Sequence, residues 1–417
     1  MKQPNAHKLI TLACLSIAAA WLPAQAQNLQ YIGQQIVPSG TQFLGTTVGG
    51  LSGLDFVASS GRYVAISDDR SGFNPARFYE LSLDLAQFVR SANPGQAGVG
   101  FQSVTTILDS AGLPFATNTL DPEGIRYNAS TNTLVWSNEG QRAAAGLQNP
   151  TVREMTLGGS AVRDFAVPAA FNPAGSVAGS TPGDSGIRNN LAFESLTYST
   201  DGTKLYTATE NALVQDGPAA GVGQGSASRI LSFDTATGAA GVQWAYQVDP
   251  VALAPTPAGG FATNGLVELL AIGDRQFVSV ERSFAVGAAT PGVGPNGLPT
   301  GNTIRLYYVD ARAATDVSGV ASLLGAGVVP VSKTLLLDLS TLKHDDGTPL
   351  ALDNIEGITW GPDFAGKPTL VLVSDNNFGA AQFTQFVALS VTSPIPEPAS
   401  LALMAAGVGL LLCRRKR

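Results

Sequence analysis

Acids and arginines recur along this 417-residue sequence at positions where they could gather cations or grip an anion. Glu123, Glu194, Glu268 and Glu356 stand near the start of short apolar runs, and Asp68, Asp69, Glu139, Glu210, Glu281 and Asp375 near the end of others. Arg77, Arg153, Arg229 and Arg305 follow one another at a constant step of 76 residues. Carboxylates crowded around one opening repel each other, and calcium, which takes six to eight oxygen ligands, relieves that repulsion. Arginine presents a planar fork that fits carboxylate or phosphate oxygens. A plainer use competes with this chemistry: each Glu and Arg could form an ion pair inside its own repeat. Recurrence in every copy favours that use for many of them, and the two uses are compatible.

The elements that must position these residues are read from the same repeats. One unit occurs five times: a Glu-Gly-like pair, an apolar strand, a turn, and a second strand ending in an acid or amide. Its copies start at Leu-Ser-Gly-Leu-Asp 51–55, Pro-Glu-Gly-Ile-Arg 122–126, Phe-Glu-Ser-Leu-Thr 193–197, Val-Glu-Leu-Leu-Ala 267–271 and Ile-Glu-Gly-Ile-Thr 355–359. The spaced arginines open a third strand, with Gln385 in that place in the last copy. Fourth strands are expected around 102–108, 163–167, 243–248 and 333–339. The fifth copy lacks room for one, and the segment 30–37 near the N-terminus supplies it. An all-β propeller follows, one domain over residues 27–393, closed by its N-terminal strand so that no sheet edge stays open. Five blades are expected; six is the alternative if a degenerate blade lies between Leu269 and Gly357. Antiparallel alternation within each blade brings the acids to one face, with the first strand innermost and the arginines further out.

Composition agrees with many short strands joined by tight turns. The chain has 47 Gly and 25 Pro, and only 13% of its residues are charged, where about 25% is usual. The net charge of −7 conceals an asymmetry, because both ends are basic and the body alone carries −12. Such a body is a poor partner for nucleic acid.

Residues 1–26 read as a secretory signal peptide, with Lys2 and Lys8, an apolar run from Leu9 to Leu22, and Ala24-Gln25-Ala26 as the cleavage pattern. A lipoprotein reading through Cys14 competes with it. Residues 394–417 hold Pro396-Glu397-Pro398, an apolar stretch from Ala399 to Cys413, and Arg-Arg-Lys-Arg. Taken alone this is a short transmembrane helix whose basic tip stays cytoplasmic. The order of its three parts resembles the PEP-CTERM sorting signal of Gram-negative bacteria. That resemblance implies export across the inner membrane, processing by the transpeptidase exosortase, and a final place at the cell surface or outside the cell. The membrane is then met only through this segment, and a monomer is expected.

Between the two ends the chain has no cysteine and a single histidine, His344, which lies in a polar Lys-His-Asp-Asp-Gly turn and reads as a solvated loop residue. Disulfides, thiolate zinc sites and cysteine nucleophiles are thereby excluded. Gly183-Asp-Ser-Gly186 looks like a serine-protease nucleophile motif, but no histidine precedes it in the body. No Gly-x-Ser-x-Gly elbow, His-Glu-x-x-His helix or phosphate-binding Gly-Lys loop occurs. Catalysis, if present, must use carboxylates, a metal or arginines.

Asp68-Asp-Arg70 with Ala76-Arg-Phe-Tyr79, Asp121-Pro-Glu-Gly124, Glu281-Arg282, Asp353-Asn-Ile-Glu-Gly357, and Ser374-Asp-Asn-Asn-Phe378 with Thr384-Gln-Phe386 together resemble the phytase-like family, named for an esterase-like activity of phytase. The resemblance runs from about residue 50 to 390. By analogy with six-bladed calcium-dependent phytases, it implies hydrolysis of phosphate esters. It makes Glu123, Glu194, Glu210 and Glu356 candidate calcium ligands, and Arg77, Arg153, Arg229 and Arg282 candidate phosphate contacts, with calcium activating water for attack. Ser52 departs from the pattern where other copies have Glu, and lysines are sparse on the inferred face. A surface or matrix binding module for an extracellular polysaccharide, without turnover, is the alternative function. A glycoside hydrolase is the third, and would need two carboxylates suitably spaced across a cleft.

Overall fold

Leu370, Val371, Leu372 and Val373 are all fully buried, so the strand that carries them shows no in-out alternation. Strands covered on both faces read this way, and here the cover comes from neighbouring blades. The computed structural model describes residues 29–392 and folds them into a five-bladed β-propeller. Blade 1 comprises Leu51–Val57, Arg62–Ser67, Arg77–Leu83 and Val99–Thr106. Blade 2 comprises Pro122–Asn128, Thr133–Asn138, Thr151–Thr156 and Ala161–Asp164. Blade 3 comprises Phe193–Tyr198, Lys204–Thr209, Ser226–Asp234 and Ala240–Val248. Blade 4 comprises Ala262–Gly273, Gln276–Ala285, Asn302–Asp310 and Ser332–Asp338. Blade 5 comprises Asn354–Phe364, Lys367–Asp375, Thr384–Val391 and, from the other end of the chain, Leu29–Val37. The signal peptide and the C-terminal sorting segment fall outside the described residues. Among the described residues no helix is long and apolar enough to cross a membrane.

The first strands of the five blades are neighbours around the ring. The outer strand of blade 2, Ala161–Asp164, is mostly exposed, which is why its sequence is polar and its boundary hard to read. The ring closes where Leu29–Val37 pairs antiparallel with Thr384–Val391, from Leu29 opposite Val391 to Val37 opposite Thr384. No sixth blade lies between Leu269 and Gly357. That stretch holds the rest of blade 4 and three long connections, 286–301, 311–331 and 339–353, the second of them tied down by Arg229, which donates to the carbonyls of Val317 and Val320.

Register corrects two of the expected equivalences. Gly53, Ser195, Glu268 and Gly357 lie opposite Ile66, Ala208, Val280 and Val373 on their second strands. Glu268 therefore occupies the position of the glycines, and the position of Glu194 and Glu356 is taken in blade 4 by Val267. Second, Val152 lies opposite Ser137 in blade 2, as Phe78, Ile230 and Leu306 lie opposite Ile66, Ala208 and Val280. Thr151 is thus the counterpart of Arg77, Arg229 and Arg305, and Arg153 sits two residues further along its strand. The constant step of 76 conceals this offset because loop lengths compensate.

At the axis, Arg126 from blade 2 donates to the carbonyls of Leu54, Ile125, Ile358 and Leu269 and to Glu268. Glu268 in turn accepts from the backbone N–H of Leu196 and Leu269. All five first strands meet this pair. His344 is a further correction: it is only 3% exposed. The N-terminal strand covers it, with the Tyr31 ring 6.5 Å away.

Candidate metal centre

Every first strand carries a register shift against its second strand on the side of the well. The breaks fall between Leu51 and Gly53, Pro122 and Ile125, Phe193 and Ser195, Leu266 and Glu268, and Ile355 and Gly357. A bulge leaves a residue unpaired and re-aims its side chain. The bulged positions hold Ser52, Glu123, Glu194, Val267 and Glu356. The residues that end the second strands face the same opening: Asp68, Glu139, Glu210, Arg282 and Asp375. Small residues next to the bulges allow this crowding, since a Cβ on Gly124 would lie 2.8 Å from the Leu196 Cβ and 3.0 Å from the Glu194 carbonyl oxygen.

The result is a well of carboxylates with two guanidinium groups. Asp121, Glu123 and Glu139 each offer an oxygen within 4.8 Å of the other two, and so do Glu139, Glu194 and Glu210. Glu139 belongs to both groups. Arg70 pairs with Asp121, donating from Nε at 2.8 Å, and lies 4.0 Å from Glu139. Arg282 lies 3.2 Å from Glu356 and 3.4 Å from Glu210. Asn354 donates to Glu356 and Asp375, and the Ala192 N–H to Glu139. One Asp68 oxygen and the Arg282 Nε are buried without a hydrogen-bond partner.

Burial first, and neighbouring carboxylates second, hold these acids protonated at pH values where free carboxyls ionise. Asp68 is pushed up to about 8 by burial, with Asp121 and Glu356 adding to it. Burial takes Glu139 to about 7 although hydrogen bonds from Asp121 and the Ala192 amide oppose it. Glu210 also reaches about 7 through burial, against the pull of Arg282. Glu123, Glu194, Asp121 and Asp375 are also raised well above the usual carboxylate range, with burial the main cause in each. Burial alone would depress Arg282, but Glu210, Glu356 and Glu194 outweigh it and keep the guanidinium charged. Two like charges about 4 Å apart repel by about 4 kcal/mol at an effective dielectric of 20. The well is therefore stable only with protons or added cations. Its donors are all hard oxygens, and neither histidine nor cysteine is among them, which fits calcium and not zinc or copper.

A cavity of about 710 Å³ opens beside the well over blades 3 to 5. Glu210, Arg282 and Glu356 line both, and Phe261, Phe284 and Leu298 form part of its wall.

The structure brings together Glu123, Glu194, Glu210, Glu356 and Arg282. It puts the other three arginines elsewhere. Arg77 is 1% exposed, and its nitrogens are taken by Asp69, Tyr79 and the Thr47 carbonyl. Arg229 forks onto both oxygens of Asp216. Arg153 lies over the rings of Phe115 and Trp136, 3.8 Å from Asp164 on the outer strand. The ion pairs expected within each blade do form in part, with Arg305 on Asp338, but each uses a different acid. Arg70, Asp121 and Arg282 as the blade-4 counterpart of Asp68 were not readable as a set.

The family model described as "Esterase-like activity of phytase" matches residues 46–378, and the PEP-CTERM protein-sorting motif matches residues 394–417. The sorting motif implies export and cell-surface sorting in Gram-negative bacteria, and processing by exosortase. Among solved structures the chain is similar to the Dos1 propeller, at 7% identity over 84% of this chain and 69% of that one, with a TM-score of 0.33. It is also similar to the Cps50 (Swd1) β-propeller domain of Myceliophteria thermophila, at 12% identity over 83% and 97%, with a TM-score of 0.32. No curated protein matches.

Proposed function

The chain belongs to the phytase-like family, described by an esterase-like activity of phytase, and from that premise we propose that it is an exported, calcium-dependent hydrolase of phosphate esters. The observation that carries this reading is the pair of carboxylate triads sharing Glu139 beneath a cavity edged by Arg282.

Asp121, Glu123, Glu139, Glu194 and Glu210 would hold the calcium, which supplies positive charge to draw in a phosphate and polarise it. Glu356 and Asp375 extend the well on the blade-5 side. Arg282 spends one terminal nitrogen on Glu210 and Glu356 and keeps Nε unpartnered, so it can turn its fork toward phosphate oxygens. Arg70 orients Asp121. Arg77, Arg153 and Arg229, by their contacts, act in blade architecture. In this reading the leader is removed after Ala26 and the tail is processed by exosortase, leaving a propeller of residues 27–393.

The test is phosphate release by the purified protein from a panel of phosphate esters, with calcium and with chelator. Release that needs calcium supports the reading, and no release at any calcium concentration removes it. A second reading, a matrix-binding propeller without turnover, is favoured by one observation: Phe73 and Phe378 stack at 4.5 Å on the same face, with Phe73 66% exposed, a plate suited to sugar rings. Glycan binding without phosphate release would select it.

A further inference from the structure

Charge and shape in the cavity beside the well select among phosphate esters, an inference that rests on the hydrolase reading above. Among the described residues Arg282 is the only basic one in the lining, where Glu210, Glu356 and Asp353 are its acids. One guanidinium already shared with two carboxylates can meet one phosphate. An inositol hexakisphosphate would bring five more phosphates. With one phosphate at Arg282 and the calcium-holding well, the others would lie along a lining whose remaining charged side chains are acidic, where burying unmatched anions is costly.

The rest of the wall is apolar or neutral. Phe261 is 68% exposed and Leu298 62% exposed, although both line the cavity, together with Phe284 and Pro299. The Phe261 and Phe284 rings stand 6.1 Å apart at 41°. Asn189, Asn190 and Gln382 contribute uncharged donors and acceptors. A volume of about 710 Å³ suits a small organic molecule. Large exposed apolar side chains concentrated on one concave wall next to an anion-attracting centre complement a molecule that is anionic at one end and apolar at the other.

We propose that the substrate is a phosphomonoester of an aromatic or similarly flat apolar alcohol, with its phosphate at Arg282 and the well and its alcohol half against Phe261, Phe284 and Leu298. Hydrolysis joins the oxygen of water to phosphorus and breaks the bond from phosphorus to the ester oxygen. The alcohol leaves with one of the protons of water, and inorganic phosphate remains.

Calorimetric binding, with calcium in excess, would compare 1-naphthyl phosphate, inositol hexakisphosphate and inorganic phosphate on the full protein. Naphthyl phosphate is expected to bind more tightly than either of the others. F261A should weaken it by roughly three- to tenfold while leaving inorganic phosphate unchanged, and L298A should act in the same direction. Phe261 is exposed, so the variant keeps its fold. Equal or tighter binding of inositol hexakisphosphate, or an F261A protein that binds naphthyl phosphate as before, overturns the assignment. Binding in the expected order without release from any ester upholds the cavity assignment and removes the hydrolase. Release that favours inositol hexakisphosphate does the reverse.

Discussion

Arg126 and Glu268, 142 residues apart in sequence, meet at the propeller axis with 2.8 Å between Nη2 and Oε2. Blade 5 has Gly357 and Thr359 at the two corresponding positions. The pair replaces small residues with a charged bridge that touches all five first strands. Removing one member of a buried pair leaves an uncompensated charge, at a cost of about 3–5 kcal/mol. R126A and E268A should each lose about that much in urea unfolding. The double variant R126T/E268G, which restores the blade-5 residues, should lose less than the sum. A strictly additive double variant would show that the bridge is not a coupled unit.

The well should make the metal-free protein less stable as pH rises. Asp68 is pushed up to about 8 and Glu139 to about 7 by burial, from ordinary values of 3.8 and 4.5. Between about pH 4 and pH 8 the folded protein therefore binds more protons than the unfolded chain, so stability is full below that window and falls through it. Thermal unfolding in chelator should show Tm dropping by several degrees across the window. Calcium should flatten the profile, and its binding should release protons. A chelated protein whose Tm rises over that range would contradict the raised carboxyl values.

Glu139 serves both triads, whereas Glu123 and Glu194 serve one each. E139Q should weaken calcium binding at least about tenfold at every site, and E123Q should spare part of it. In chelator at pH 8 the order of stability inverts: E139Q should unfold at a higher temperature than the parent, because one repelling charge is gone. Calcium titration by calorimetry and melting in chelator check both halves.

Arg282 and Arg77 should separate function from architecture. R282A should lower kcat/KM for a phosphomonoester by roughly a hundredfold or more, about 2.7 kcal/mol. R77A leaves Asp69 buried without its guanidinium partner, held only by the N–H groups of Gly72, Phe73 and Asn74, and should cost about 3–5 kcal/mol of stability with KM unchanged in the molecules that stay folded. Steady-state kinetics beside urea unfolding would expose a reversed pattern.

The repeats made the propeller legible, because burial on both faces turns each second strand into an apolar run such as Leu370–Val373, and one acid after the run marks its end. The ligand-rich face followed from strand alternation alone. Glu268 misled because the bulge that aims Glu194 and Glu356 leaves no mark in composition. A one-residue slip there exchanges the well for the axis. Arg153 misled because loops of unequal length happened to sum to the same step. The cavity was not legible at all: Phe261 and Leu298 come from connections whose paths no periodicity specifies, and only folding brings them beside Arg282.

The antiparallel closure of blade 5 also fixes where both chain ends leave the propeller. The third strand of that blade runs from Thr384 at the well end to Val391 at the opposite end, where Leu29 lies beside it. Both ends of the propeller chain thus leave from the side away from the carboxylates. Were the protein held by its C-terminal tail, the carboxylate face would lie at the end of blade 5 away from that attachment, and molecules in the surroundings could reach the well without passing the surface that holds it.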